Sequence, residues 1–432
     1  MQTIETIQIT FHKGIIMSKH KHISGSLLKV CLLLIITLLS FTTNGLCDQA
    51  KETNGKVIDP KLSLGERMVL SQIYRNKDSL AYNTQYKSVW TYDKGTYLKG
   101  VEAVWLKTGD KKYFDYIYST IGSFIKSDGT ILTYKADDYS LDNVCSGKQV
   151  LTIWKQTKEE KFKLAAYIIK KQLEGQPRTN EGGFWHKKRY PYQMWLDGLY
   201  MGDPFYAQFS QLFNEPKNND DIANQIIWVG KHTLDPKTGL LYHAWDESKQ
   251  QKWADKQTGC APMFWGRAIG WYMMSIVDVL DYLPKDHPKR AKILQIFKQE
   301  TDALLKVQDT KSGAWWQILD RGNQPKNYLE SSASCMFVYA MSKAINNGYL
   351  SKSYIPAVTK GWNGLLKTFI TTAPNGVLTL TGTCRSAGLG GEPYRDGSYD
   401  YYMSEPIVSN DLKGVGPFIM AAVETQKLGI IK

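Results

Sequence analysis

The sequence predicts an all-α protein built as a closed ring of helical hairpins, and three observations lead there. Apolar residues recur at helical spacing in segment after segment, with little strand-like alternation. A helix–turn–helix pattern returns with a period of about 50 residues, enough for about twelve helices. Aromatic-rich helices alternate with amphipathic Lys/Glu-rich ones. That alternation suits an inner ring buried all round and an outer ring with one wet face. A solenoid shares the first two features, and the third favours the ring.

The elements follow in chain order. Residues 1–47 read as an export segment: Lys19, Lys21 and Lys29 precede an apolar run, Val30 to Leu39, too short to span a bilayer. Met17 offers an alternative start. Gly45 and Cys47 suit cleavage before Asp48, which would leave a periplasmic or cell-surface protein. A lipid on Cys47 is the one membrane attachment expected. After a polar stretch near 48–60, helices are predicted over 65–74, 97–106, 112–125, 148–155, 160–173, 220–232, 265–283, 289–307, 329–346, 354–370 and 415–428. In the segment 289–307, Ile293, Leu294, Ile296, Phe297, Leu304 and Val307 fall mainly on one face, with Lys and Glu opposite. The repeat is visible at 104–114, at 152–162 and, more loosely, at 278–288, where one helix ends, turns and yields to another. No Pro- or Ser-rich linker interrupts residues 48–432, so they are expected to form a single domain.

Composition narrows the partners. The net charge of +13 favours anionic ones, but no dense Lys/Arg run or nucleic-acid motif follows the leader. An acidic glycan fits better than nucleic acid, and 13 Trp and 26 Tyr suit stacking on sugar faces. Cys145, Cys260, Cys335 and Cys384 are scattered without metal-like spacing and read as buried thiols. No metal or other cofactor is expected, and the chain is expected to act as a monomer.

Five irregular regions carry the chemistry, as loops on a rigid scaffold usually do. In 182–201, Gly182, Gly183 and Pro191 break the pattern, and Asp197 sits beside Trp195 where helical spacing resumes. An Asp there is commonly a helix cap, but Trp185, His186, Lys187 and Trp195 around it point to a site. In 238–248, His243 and Trp245 occupy a short loop, and His243 with Asp246 and Glu247 matches no metal spacing. In 258–271, Trp265 and Arg267 open an apolar helix. A charge at such a place needs an anion, from a salt bridge or from a ligand. In 139–147, Asp142 precedes a helix. The Gly- and Tyr-rich stretch 387–406 lacks a phosphate-binding lysine and reads as a loop over a pocket mouth.

These motifs, taken together and in order, resemble the unsaturated rhamnogalacturonyl hydrolases, glycoside hydrolase family 105. The resemblance rests on Gly183-Phe-Trp-His-Lys187, Met194-Trp-Leu-Asp-Gly-Leu-Tyr-Met201, His243-Ala-Trp-Asp-Glu-Ser248, Phe264-Trp-Gly-Arg-Ala-Ile-Gly-Trp271, Tyr328-Leu-Glu-Ser-Ser-Ala-Ser334 and Tyr394-Arg-Asp-Gly-Ser-Tyr399. It implies an (α/α)6 barrel, six helical hairpins with the site at one end, and no metal. It makes Asp197 the general acid/base and Asp142 its carboxylate partner, with Lys187, Trp195, His243, Trp265 and Arg267 around the sugar.

The implied reaction releases a 4,5-unsaturated uronic acid from the non-reducing end of lyase-generated fragments, with unsaturated galacturonyl-rhamnose from pectin as first expectation. An acid protonates carbon 4, water adds at carbon 5, and the resulting hemiketal opens so that the glycosidic bond falls apart. The residues alone leave other readings open. One is an inverting glycosidase using Asp142 and Asp197, and another is a lyase using His243 and Arg267. Unsaturated glucuronyl hydrolysis of ulvan, glycosaminoglycan or arabinogalactan fragments, and an exported glycan-binding protein without catalysis, are the remaining two.

Overall fold

A computed structural model describes residues 56–76 and 89–431, all within one compact unit, Thr53–Lys432. The expected export segment lies outside the described residues. Six helices form an inner ring: α2 (Tyr92–Thr108), α5 (Gly147–Thr157), α7 (Leu196–Leu212), α9 (Gly266–Val279), α11 (Ser331–Asn346) and α14 (Leu412–Lys427). Each packs on the next, and α14 closes back onto α2. Six others lie outside it: α1 (Leu64–Asn76), α3 (Lys111–Gly122), α6 (Glu160–Gly175), α8 (Asn219–Thr233), α10 (Arg290–Lys306) and α12 (Ile355–Phe369). The expected (α/α)6 barrel is what the chain adopts.

Burial follows sequence character. Every residue of α9 is buried, as is nearly all of α7 and α11, whereas α10 buries one stripe that includes Ile293, Phe297 and Leu304. Close approach of backbones sets where the ring shuts. A Cβ on Gly416 would stand 2.5 Å from Thr96 O, and one on Gly100 would stand 2.9 Å from Gly416 O. Only glycine lets α2 and α14 meet this closely.

Two helices depart from the sequence reading. α2 begins at Tyr92 rather than 97, because the polar start Asp93-Lys94-Gly95 hides a turn that tertiary contacts bury. α7 is absent from the predicted segments beyond the pattern resuming at Asp197, since it is apolar on all sides and contains Pro204. The short helices α4 (Leu141–Val144) and α13 (Tyr399–Ser404) lie in stretches that lack helical spacing. Three two-stranded ribbons and four short 3-10 turns complete the described elements. β1 (Gln193–Trp195) pairs antiparallel with β2 (Ala244–Asp246), β3 (Ile370–Thr372) with β4 (Leu378–Leu380), and β5 (Thr383–Cys384) with β6 (Ile407–Val408). Cys145, Cys260, Cys335 and Cys384 are free and buried, as read from their spacing.

Candidate active site

The inner helices bring their N-terminal ends to one end of the ring. There the Ser146 hydroxyl beside α5 bonds Thr91 O beside α2 at 2.8 Å, and Arg267 of α9 reaches Ser332 of α11. Each N-terminus carries the positive end of a helix dipole, so this end of the barrel favours negative charge.

Asp197 is the second residue of α7. The β1–β2 ribbon opposes Trp195 to Ala244, and Leu196 N bonds His243 O at 3.1 Å. This register sets the His243 ring against the Asp197 carboxylate, with Nε2 3.1 Å from Oδ2. The two atoms touch without hydrogen-bond alignment, and both are buried with no hydrogen-bond partner. Asp197 therefore does not spend its carboxylate on capping: the N-cap of α7 is Trp195, which makes no side-chain cap. On the far side of the ring, His243 Nδ1 lies 2.7 Å from the Tyr402 hydroxyl, which burial keeps protonated. The Tyr402 hydroxyl donates to Nδ1 or accepts from it according to the state of the ring, so the imidazole that meets the Asp197 carboxylate is held in place from its far side.

Asp142, the second residue of α4, has a different setting. Lys187 Nζ bonds its Oδ2, and His186 Nε2 lies 3.7 Å from Oδ1. Backbone pairing of Ser140 with Lys187, and of Leu141 N with His186 O, places both groups. Burial works to raise the Asp142 pKa, but the Lys187 ammonium, helped by His186 and Arg189, outweighs it and holds the carboxyl below its ordinary value. Burial pushes His186 down to about 4, so its ring is neutral near pH 7. Asp142 thus stays charged while its neighbour His186 does not.

Aromatic rings build the walls. His186 and Trp195 stack at 4.7 Å, Tyr190 continues the stack on Trp195 at 5.0 Å, and Trp195 meets His243 edge-on at 5.2 Å. Trp265 lies 4.7 Å from His243, with its indole N–H held by Gln317 Oε1 at 3.1 Å. Arg267, only 1% exposed, sits 5.0 Å over the Trp265 ring. Its Nη1 donates to Ser332 Oγ at 3.3 Å, Ser332 in turn donates to Glu330, and its Nη2 has no partner. Arg267 makes no direct ion pair among the described residues, and the carboxylates of Glu330, through Ser332, and Asp411 act on it from beyond contact.

All seven residues singled out by sequence reach this end of the barrel. Asp197, His243, Trp195, Trp265 and Arg267 form one cluster, and Asp142 with Lys187 forms a pair joined to it through His186. The pair opens on a cavity of about 580 Å³ that Trp90, Tyr92 and Arg189 also line. Sequence reasoning missed Tyr402, Tyr190, Gln317 and Glu330 as site residues. Glu330 lies inside the motif 328–334, which was visible. Tyr402 is one of several tyrosines in 387–406, and nothing local distinguishes it. That stretch meets the aromatic wall: Arg395 Nη2 bonds the Tyr190 hydroxyl at 2.9 Å.

Known proteins share this family and this fold. The model of Glycosyl Hydrolase Family 88 matches residues 64–429. A family 105 glycoside hydrolase from C. acetobutylicum is 44% identical, with a TM-score of 0.81 over 85% of this chain and 100% of that one. An unsaturated rhamnogalacturonyl hydrolase of Bacillus subtilis is 26% identical over 277 residues, 63% of this chain and 74% of the relative. The unsaturated glucuronyl hydrolase of Bacillus sp. GL1, at 13% identity and a TM-score of 0.61 over 85% of this chain and 96% of that one, shares the fold alone. A ring matched from its first described helix to its last places the chain among the glycosyl hydrolases of families 88 and 105, the unsaturated glycuronyl and rhamnogalacturonyl hydrolases.

Proposed function

We propose that the protein removes a 4,5-unsaturated uronic acid from the non-reducing end of lyase-generated oligosaccharides by hydrating its double bond, with unsaturated galacturonyl-rhamnose as the preferred substrate. The observation that carries this reading is the unequal treatment of two carboxylates. Asp197 keeps a buried oxygen without a hydrogen-bond partner beside His243. Asp142 is tied to Lys187 and held in its charged form. Direct inverting displacement needs one protonated acid and one free base with water between them. Asp142, already bonded by an ammonium, serves poorly as either. Hydration needs one group that gives a proton and takes one back, and Asp197 has that freedom.

In this reading Asp197 delivers its proton to carbon 4. Positive charge develops at carbon 5 and the ring oxygen, and the fixed charge of Asp142 stabilises it. Water adds at carbon 5 and returns a proton to Asp197. The hemiketal then opens and the glycosidic bond breaks, with one water consumed. Trp195 and Trp265 flank the ring, and the positive helix ends with Arg267 favour the uronate carboxylate. The similarity to the Bacillus subtilis rhamnogalacturonyl hydrolase supports the choice of leaving sugar.

Ultraviolet absorbance of the conjugated double bond tests the reaction. It should fall when the protein meets lyase-generated disaccharides. A rise would mark a lyase. A flat trace with release of saturated sugar would mark an ordinary glycosidase, and either result sinks the proposal. We also propose export through residues 1–47, and the mass of the mature protein will separate cleavage before Asp48 from a lipid on Cys47.

A further inference from the structure

The outer layer has a cavity of its own, between α8 and α10. It encloses about 350 Å³, and none of its lining residues also lines the cavity beside Asp142. Its size lies within the range of about 300–1,000 Å³ common for small-molecule sites. Ile227 and Gly230 of α8, Ile296 and Glu300 of α10, and Leu234 and Leu241 from the turn after α8 form most of the wall. That turn is fixed: Leu234 and Leu241 pair across its base, and Tyr242 N bonds Thr233 O at 2.8 Å. Gly230 has no side chain to keep the Tyr272 hydroxyl away, since a Cβ there would stand 2.4 Å from it. The hydroxyl passes close by and gives its proton to Ile226 O at 2.9 Å, so it has none left for the cavity.

One group in this wall does not match its surroundings. Glu300 is 2% exposed, and its Oε1 is buried with no hydrogen-bond partner. Burial pushes its carboxyl well above the ordinary range, which favours the neutral form, an O–H donor beside a carbonyl acceptor. A buried polar atom left unpaired is costly, so something that the fold does not supply should meet it. Water is the simplest candidate. An ordered water, however, is held by roughly two to four polar partners, and apart from Glu300 the buried lining is aliphatic or glycine. An organic molecule satisfies both kinds of wall, with an apolar body against the leucines and isoleucines and a polar head at Glu300. The other charged residues of the lining are Lys231 and Lys292, both exposed, and they disfavour a cationic head.

We propose that this cavity is an accessory binding site for a small neutral organic molecule, an apolar body with one hydroxyl or amide head that pairs with the Glu300 carboxyl. The inference stands apart from the hydrolase reading and gives the outer layer a ligand of its own. Benzyl alcohol is the probe. Toluene, the same body without a head, and benzylamine, the same body with a cationic one, are the controls. The methyl NMR signals of Ile227, Leu234, Leu241 and Ile296 read binding at the cavity itself. Benzyl alcohol should shift them saturably in wild type, and both controls should bind about tenfold more weakly, the order of one net hydrogen bond. Glu300→Gln keeps a donor and an acceptor and should keep the preference for the alcohol. Glu300→Met should bring alcohol and toluene to similar affinity, and Ile296→Trp, which fills the space, should abolish binding of both. No saturable shift at these methyls with any probe, equal affinity for alcohol and toluene in wild type, or a preference that survives in Glu300→Met would overturn the proposal. Undiminished binding in a folded Ile296→Trp would overturn it too. A melting curve identifies any variant that fails to fold, and the comparison of three probes on wild type decides the matter without it.

Discussion

At the scale of single residues, the site divides its labour by environment. Asp197 keeps a carboxylate oxygen without a hydrogen-bond partner, whereas Asp142 is tied to Lys187 and held below the ordinary carboxyl range. Asp197→Asn should therefore lose turnover by about 10²–10⁴-fold or more while the fold and disaccharide binding persist. Asn caps a helix as well as Asp does, so a variant that turns over normally would return Asp197 to a structural role. Lys187 supplies a test of the other carboxylate. With Lys187→Met, burial is left to dominate and the Asp142 pKa moves up. If catalysis needs Asp142 charged, the acid limb of the kcat/KM–pH profile shifts to higher pH. A limb that stays in place would show that Asp142 is not the group being tuned. Arg267→Ala should cost on the order of 10²-fold in kcat/KM, because the buried guanidinium keeps an unused donor. Near wild-type kcat/KM in a folded variant would show that the arginine only props Trp265. The seven expected residues were legible because Trp, His, Arg and Asp at irregular positions are costly unless used. His186 and Tyr402 were harder to assign. Their roles come from contacts across 44 residues, to Asp142, and 159 residues, to His243, and no local spacing encodes those.

At the scale of elements, outer helices were read almost to their ends because one face is wet and the period shows. The α10 stripe is the plainest case, predicted over 289–307 and found over Arg290–Lys306. The buried inner helices α9 and α11 were read from their long apolar runs, but α7, which lacks the contrast of a wet face and carries Pro204 inside it, was not. Function sits where these all-buried helices begin, and their first turns are fixed by side chains. Glu330 shows how. Its carboxylate caps α11 through Ala333 N at 2.7 Å, takes the Ser332 hydroxyl and accepts from Cys384 N at 2.8 Å. One buried carboxylate thus ties α11 to β5 and, through Ser332, steadies Arg267. Glu330→Ala removes the cap and strands the other two donors, so it should destabilise the fold by more than about 2 kcal/mol. Glu330→Gln keeps one acceptor oxygen and should fall between. Denaturant midpoints on the pair check this, and equal midpoints for Ala and wild type would show that water replaces the carboxylate.

At the scale of the whole molecule, the ring is assembled around polar groups that it buries with unequal success. Asp142, half-buried, and Asp278, buried, stand beside lysines, Lys187 and Lys343, and stay below the ordinary carboxyl range. Asp203 on α7 and Glu300 on α10 are buried without such partners. Burial alone pushes Glu300 well above its ordinary value, and burial helped by Asp221 does the same to Asp203. The two groups act oppositely on stability. For the lysine-paired carboxylates, the native state binds fewer protons than the unfolded chain, and their stabilisation is lost as pH falls through the depressed folded values. For Asp203 and Glu300 the native state keeps protons that the unfolded chain releases above its ordinary carboxyl range. Their contribution is therefore present in acid and declines as pH rises towards the raised folded values, at about 1.4 kcal/mol for each tenfold difference in proton affinity. The total curve mixes both signs, so the informative quantity is the difference between a variant and wild type. Glu300→Gln keeps shape and one hydrogen-bond acceptor but has no proton to lose. Its melting temperature relative to wild type should be lowest in acid and climb steadily through neutral and alkaline pH, where wild type alone carries the cost of keeping a buried acid protonated. Asp203→Asn should behave likewise. A Glu300→Gln difference that stays flat from pH 4 to 9, or that falls with rising pH, would show that Glu300 is ionised in the folded ring and that water or an unseen cation reaches it.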